Sequence, residues 1–188
     1  MTSPSPARLA PLVALLRERS VRRGSFTLAS GRRSSFYVDA RPTTMSATGL
    51  ALVGELGLEA IRAAEWPVDL VGGLTMGADP VAYAIARASR DAPPTVDAFS
   101  VRKEAKQHGT ARQIEGCFRA GVPVVVVEDV ITTGASALAA AEAVRDAGGL
   151  VSGVLAVVDR EEGGRGVLER AGWQVRALIT ARDLGVMT

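Results

Sequence analysis

The chain has 188 residues and 19.5 kDa, with 47% hydrophobic and 22% charged residues, which fits one globular domain with a full core and excludes a disordered protein. The formal net charge is +2, and the arginines are scattered from Arg8 to Arg182 without a contiguous basic stripe, so no nucleic-acid partner is expected. A single cysteine, Cys117, excludes an internal disulfide and suits a cytoplasmic location, and no apolar run reaches the roughly 18 residues of a membrane span.

In chain order, Leu9, Leu12, Val13, Leu15 and Leu16 recur at helical spacing and predict an amphipathic helix over 7–19. Pro11, the RER that follows and the lack of a small-residue cleavage site argue against a signal peptide. FTLAS (26–30) and FYVDA (36–40) read as short strands joined by the turn-like SGRRSS. A helix is predicted over 46–64, a buried strand over 68–73, a helix over 80–89 and a strand over 95–101. The polar stretch 102–121 has weak periodicity, and VPVVVVE (122–128) is the strongest strand signal in the chain. ASALAAAEAVRDAGG predicts a helix over 136–147 that stops at Gly148 and Gly149. A strand over 150–159, a short helix over 166–171 and a last strand over 175–180 follow. Continuous apolar strands separated by helices imply one α/β domain with a mostly parallel central sheet and helices on both faces.

The segment VVVVEDVITTGAS, 124–136, carries the most chemistry. A buried parallel strand brings Glu128 and Asp129 to its carboxyl end, where open α/β sheets hold their ligands. Thr132, Thr133, Gly134, Ala135 and Ser136 then open a helix, whose N–H groups, with the hydroxyls, form a cradle for a phosphate dianion. Two carboxylates beside such a cradle would repel the phosphate unless they meet hydroxyls or a cation. A ribose 5-phosphate satisfies both halves, with a magnesium ion able to bridge nearby. Helix capping by Asp129 and Thr132 is the bland alternative, and it leaves the rest of the pattern unexplained. P-loop, dinucleotide and nucleophile-elbow motifs are absent from the sequence, and one His and one Cys do not suit a zinc site. Both lysines and the only histidine share VRKEAKQHG, 101–109, as Lys103, Lys106 and His108, in a chain that otherwise uses arginine.

Residues 124–136 resemble the phosphoribosyl pyrophosphate (PRPP) motif of the type I phosphoribosyltransferases. VRKEAKQHG resembles the catalytic loop of their orotate phosphoribosyltransferase branch, and SGRRSSFYVDAR with VVDREEGG resembles that branch's base-binding segments. The resemblance runs from about Phe26 to the C-terminus. It implies a small N-terminal hood with the first helix over about 1–45, a core over 46–188 and a mobile catalytic loop over about 102–115. It also implies magnesium-dependent transfer from PRPP to orotate, in pyrimidine biosynthesis, by a homodimer whose loop reaches the neighbouring subunit's site.

By this resemblance Lys103, Lys106, His108 and Asp129 are catalytic. Arg102, Lys103, Lys106 and His108 meet the pyrophosphate, while Glu128, Asp129, Val130, Ile131, Thr132, Thr133, Gly134, Ala135, Ser136, Thr75 and Met76 complete the PRPP site. Orotate, a flat anion, is expected against Tyr37 or Phe36, with Thr132 and a planar cation at Arg160; alone, Arg160 would read as a surface ion pair with Glu161 or Glu162. Magnesium is expected to arrive on PRPP with a water-mediated contact to Asp129 and no direct protein ligand. Ammonium groups on flexible stems can follow pyrophosphate oxygens as they depart, which gives the lysine cluster a purpose. Some bacterial members carry lysine at the positions of Ala29 and Met76; Arg32 and Arg33 are candidates to compensate. A phosphoribosyltransferase for another base, a PRPP-sensing regulator and an inactive structural paralogue are the competing readings.

Overall fold

The computed structural model describes residues 4–27, 33–103 and 113–187. Helix α1 (Pro6–Arg19) leads into an antiparallel pair, β1 (Val21–Thr27) and β2 (Arg33–Val38), and a single turn, α2 (Arg41–Thr44). Then come α3 (Ala47–Ala63), β3 (Leu70–Leu74), α4 (Ala78–Asp91), β4 (Asp97–Val101), β5 (Ile114–Gly116) and β6 (Pro123–Ile131). The chain closes with α5 (Ala135–Asp146), β7 (Leu150–Asp159), α6 (Gly164–Arg170) and β8 (Val175–Thr180).

The main sheet has the order β5-β4-β3-β6-β7-β8, parallel throughout except for β5, which pairs antiparallel with β4 at one edge. Strand β6 shows why the sheet must be covered twice. Val125 and Val127 join the core beneath α1, α3 and α4, whereas Val124 and Val126 join the core beneath α5 and α6. All four are fully buried, and each stabilises the fold by about 1.5–3 kcal/mol relative to an exposed valine. Ser46 ends the loop before α3 by accepting the Gly49 N–H at 3.1 Å, the N-cap that the sequence supplies at that point.

Connections from β3 run outward in one direction through α4 to β4, and those from β6 run in the other through α5 to β7. The crevice between the carboxyl ends of β3 and β6 is therefore a topological switch point, the usual ligand position in such sheets. The β1–β2 pair is fastened beside it. Arg17 donates to the carbonyls of Leu184 (3.1 Å) and Asp183 (2.6 Å), Arg23 to that of Gly185 (2.7 Å), and the Ser20 and Thr43 hydroxyls share a buried hydrogen bond of 2.7 Å.

Three of the differences from the sequence expectation bear on how the sheet is built. Strand β1 starts at Val21 because its first residues pair with β2 as far as Val38; a polar VRRGS gives no apolar signal for this. Strand β5 lies inside the stretch of weak periodicity, drawn into the sheet by pairing with β4. Strand β6 runs on to Ile131, held by Val158 and Asp159 of β7, so Asp129 sits within the strand rather than just beyond it.

Candidate active site

Glu128 is 6% exposed and its Oε2 has no hydrogen-bond partner among the described residues. Burial, and after it hydrogen bonding and charge from Asp129, push its carboxyl well above the usual carboxylate range. Asp129, on the opposite face of the strand, is half-buried; its Oδ1 accepts the Val130 N–H at 2.8 Å. Both acids line a cleft of about 330 Å³ at the switch point. Thr132 and Ser136 line it too, and from there a small recess runs under residues 130–137 at the start of α5.

That recess is shaped by Gly134. Its φ of +82° is a left-handed conformation, and a Cβ there would stand 2.7 Å from the Gly164 carbonyl oxygen. Gly134 supplies no side-chain cap; the Ala135 N–H reaches Thr133 Oγ1 at 3.5 Å, and the N–H groups of Ser136 and Ala137 have no protein partner among the described residues, at the positive end of the helix dipole. This is a recess of backbone N–H groups beside two carboxylates.

On the β3 side, the turn Thr75–Gly77 comes close to Asp129. A Cβ on Gly77 would lie 2.6 Å from Asp129 Oδ1, so only glycine allows this approach. Asp79, in the first turn of α4, holds the turn: its Oδ2 accepts the Thr75 hydroxyl at 2.6 Å and its Oδ1 the Ser100 hydroxyl at 2.6 Å. The Ser100 and Tyr83 hydroxyls share a further hydrogen bond of 2.9 Å, and the Thr75 N–H donates to the Val101 carbonyl at 2.8 Å. One carboxylate thus ties the end of β3 to the strand that leads into Arg102 and Lys103.

Arg160, 2% exposed, also lines the cleft. Its Nη2 meets Glu162 Oε1 at 2.7 Å and donates to Ser34 Oγ and the Phe36 carbonyl, both at 3.3 Å, while its guanidinium lies 4.8 Å from the Phe36 ring centroid. The ion pair with Glu162 that the sequence suggested exists, but in the interior, and Glu161 instead pairs with Arg182 at 3.3 Å. Such a guanidinium is rigidly held, and it forms one wall of the cleft. Tyr37, 39% exposed and 5.8 Å from the Phe26 ring, offers a ring face on the same cleft, whereas Phe36 is buried behind Arg160.

The structure therefore brings together Tyr37, Thr75, Met76, Lys103, Glu128, Asp129, Val130, Thr132, Ser136 and Arg160 in one cleft. Ile131, Thr133, Gly134 and Ala135 line the recess beneath it. Arg102 pairs instead with Glu115 across the foot of the loop, at 3.2 Å, and its N–H meets the Gln113 carbonyl at 2.9 Å. Lys106, His108 and Gly109 lie outside the described residues, as do Ala29 and Arg32. Asp39 and Arg41, part of the base-binding segment by resemblance but not named individually, also line the cleft, as does Gly77, whose turn was expected to offer backbone N–H groups to pyrophosphate.

No protein-family model matches this chain. The orotate phosphoribosyltransferase of Rhodopseudomonas palustris (strain BisB18) is 48% identical over 185 residues, 96% of each chain. A crystal structure of Mycobacterium tuberculosis H37Rv orotate phosphoribosyltransferase in complex with Fe(III) dicitrate has a TM-score of 0.84 at 48% identity, covering 96% of this chain and 99% of that one. The same enzyme in complex with PRPP gives 0.79 at 40% identity, covering 96% and 93%. A parallel sheet with a phosphate cradle and paired acids at its switch point, matched to these structures, defines the class as type I phosphoribosyltransferase. Within that class, the chain belongs to the orotate phosphoribosyltransferase family.

Proposed function

We propose that this chain transfers the phosphoribosyl group of PRPP to orotate, giving orotidine 5-monophosphate and pyrophosphate. The observation that carries the proposal is the shared cleft, lined by two acids, the start of the cradle and a buried guanidinium held by Glu162. In this reading the 5-phosphate rests on the α5 cradle, the ribose hydroxyls donate to Glu128 and Asp129, and the orotate carboxylate faces Arg160 against the Tyr37 ring. The anomeric carbon exchanges its bond to a diphosphate oxygen for one to a ring nitrogen, so the leaving group gathers negative charge. Lys103, with Lys106 and His108, supplies cations at that end, and the backbone of the Thr75–Gly77 turn supplies further donors.

Among the described residues no group of three or more acids, histidines or cysteines could hold a metal. Magnesium is proposed to arrive on PRPP, where it neutralises diphosphate charge, with Asp129 nearby to contact its hydration shell. A homodimer that shares the catalytic loop, working in the cytoplasm, is part of the same reading. Among the described residues no helix is long and apolar enough to cross a membrane.

The test is an absorbance assay of purified protein with PRPP, magnesium and orotate, beside mixtures containing uracil, adenine or hypoxanthine. Orotate consumption that requires PRPP and magnesium, and falls roughly 100-fold or more in Lys106→Ala, is the expected result. Consumption of another base in preference to orotate would overturn the assignment.

A further inference from the structure

We propose that Arg41 is a further substrate-binding residue of the cleft, one that grips the diphosphate group of PRPP; the inference rests on the function proposed above. Arg41 is set in place by its own neighbour. Asp39 accepts hydrogen bonds from Arg41 Nε at 2.8 Å and Nη2 at 2.9 Å, and its Oδ1 also accepts the Arg41 backbone N–H at 3.1 Å. A guanidinium has five N–H donors. Two of them go to Asp39, and the others have no protein partner among the described residues. One edge of the fork is pinned and the opposite edge is open.

The open edge belongs to the cleft. Arg41 lines it together with Lys103, Gly77 and Asp129, and its side chain is 44% exposed. Its guanidinium is held more basic than usual, first by Asp39 and in smaller measure by Asp129 and Tyr37, so it stands within electrostatic reach of the Asp129 carboxylate. Asp129 in turn lies against Gly77. Arg41 and the Thr75–Gly77 turn thus both approach Asp129.

Charge balance gives Arg41 its role. Arg160 is buried and committed to Glu162, Ser34 and the Phe36 carbonyl. Met76, 58% exposed at the tip of the turn, brings no cation. A diphosphate carries several negative oxygens, and a planar fork whose orientation is already fixed can bind two of them with little further loss of rotamer freedom. The hydrogen bond from Arg41 also holds the Asp39 carboxyl below the ordinary range, so the anchor stays charged at any working pH. A plain surface ion pair between Asp39 and Arg41 would have no bearing on substrate affinity.

The experiment compares wild type, Arg41→Ala, Arg41→Lys and Asp39→Asn, measuring KM for PRPP, KM for orotate, and the Kd of inorganic pyrophosphate with magnesium by calorimetry. Arg41→Ala is expected to raise the PRPP KM and the pyrophosphate Kd about tenfold or more, leaving the orotate KM within about twofold. Arg41→Lys should recover part of the loss, since it restores charge without the fork, and Asp39→Asn should fall between. Unchanged pyrophosphate affinity in a folded Arg41→Ala protein overturns the inference, as does a rise confined to the orotate KM. Wild-type protein that fails to consume orotate would sink the proposed function instead, and pyrophosphate affinity would still decide the role of Arg41.

Discussion

Glu128 is buried without a partner for Oε2, preceded in its strand by four buried valines and followed by the carboxylate of Asp129, so ionising it in the free protein is unfavourable. Its folded-state pKa is raised above the unfolded value. The stability it contributes is therefore present in full below the ordinary carboxyl range and is lost as pH rises through the raised pKa. Glu128→Gln removes this dependence. The variant is expected to melt higher than wild type above neutral pH, by roughly 2–4 °C for each kcal/mol recovered, with the gap closing as pH falls. Melting curves across pH check this, and a gap independent of pH would contradict it. The same variant should bind PRPP more weakly, because the amide is a poorer acceptor for a ribose hydroxyl.

Among the elements, β3 and β4 depend on a residue in neither. Asp79 opens α4 and accepts one hydroxyl from Thr75, after β3, and another from Ser100, in β4. Asp79→Ala takes this acceptor from the Thr75 hydroxyl, leaves Ser100 with its Tyr83 partner alone, and frees the turn that faces Asp129. We expect a loss of about 1–3 kcal/mol in stability and a rise in PRPP KM larger than that in orotate KM. Asp79→Asn, which can accept one hydroxyl and donate to the other, should recover most of both. Urea denaturation and substrate-resolved kinetics measure the two effects separately; equal rises in both KM values would mean that the clamp supports the whole fold rather than the turn.

For the whole molecule, the dimer proposal makes a demand on mixtures. If each loop serves the neighbouring cleft, Lys106→Ala and Asp129→Asn, inactive separately, should regain part of the wild-type activity when unfolded and refolded together, because one of the two clefts in each mixed dimer is then intact. Absence of any recovery, with mixed dimers demonstrated by mass, would show that each subunit uses its own loop.

Periodicity was enough for most of the architecture. Strands β7 and β8 fall where their apolar runs begin and end, and α3 starts one residue after Ser46, because local hydrophobic pattern and capping are written in neighbouring residues. The acids and the cradle of 128–136 were readable for the same reason: their spacing along one strand and one turn is itself the chemistry. Pairing across the fold was not readable. Strand β5 is held in place by β4, and β6 reaches Ile131 because β7 runs beside it. Nor did any local signal show that Arg160 would be buried against Phe36, that Gly77 would touch Asp129, or that Arg41 would enter the cleft. Such contacts join residues dozens of positions apart, and their chemistry exists only once the sheet has brought the carboxyl ends of its strands together.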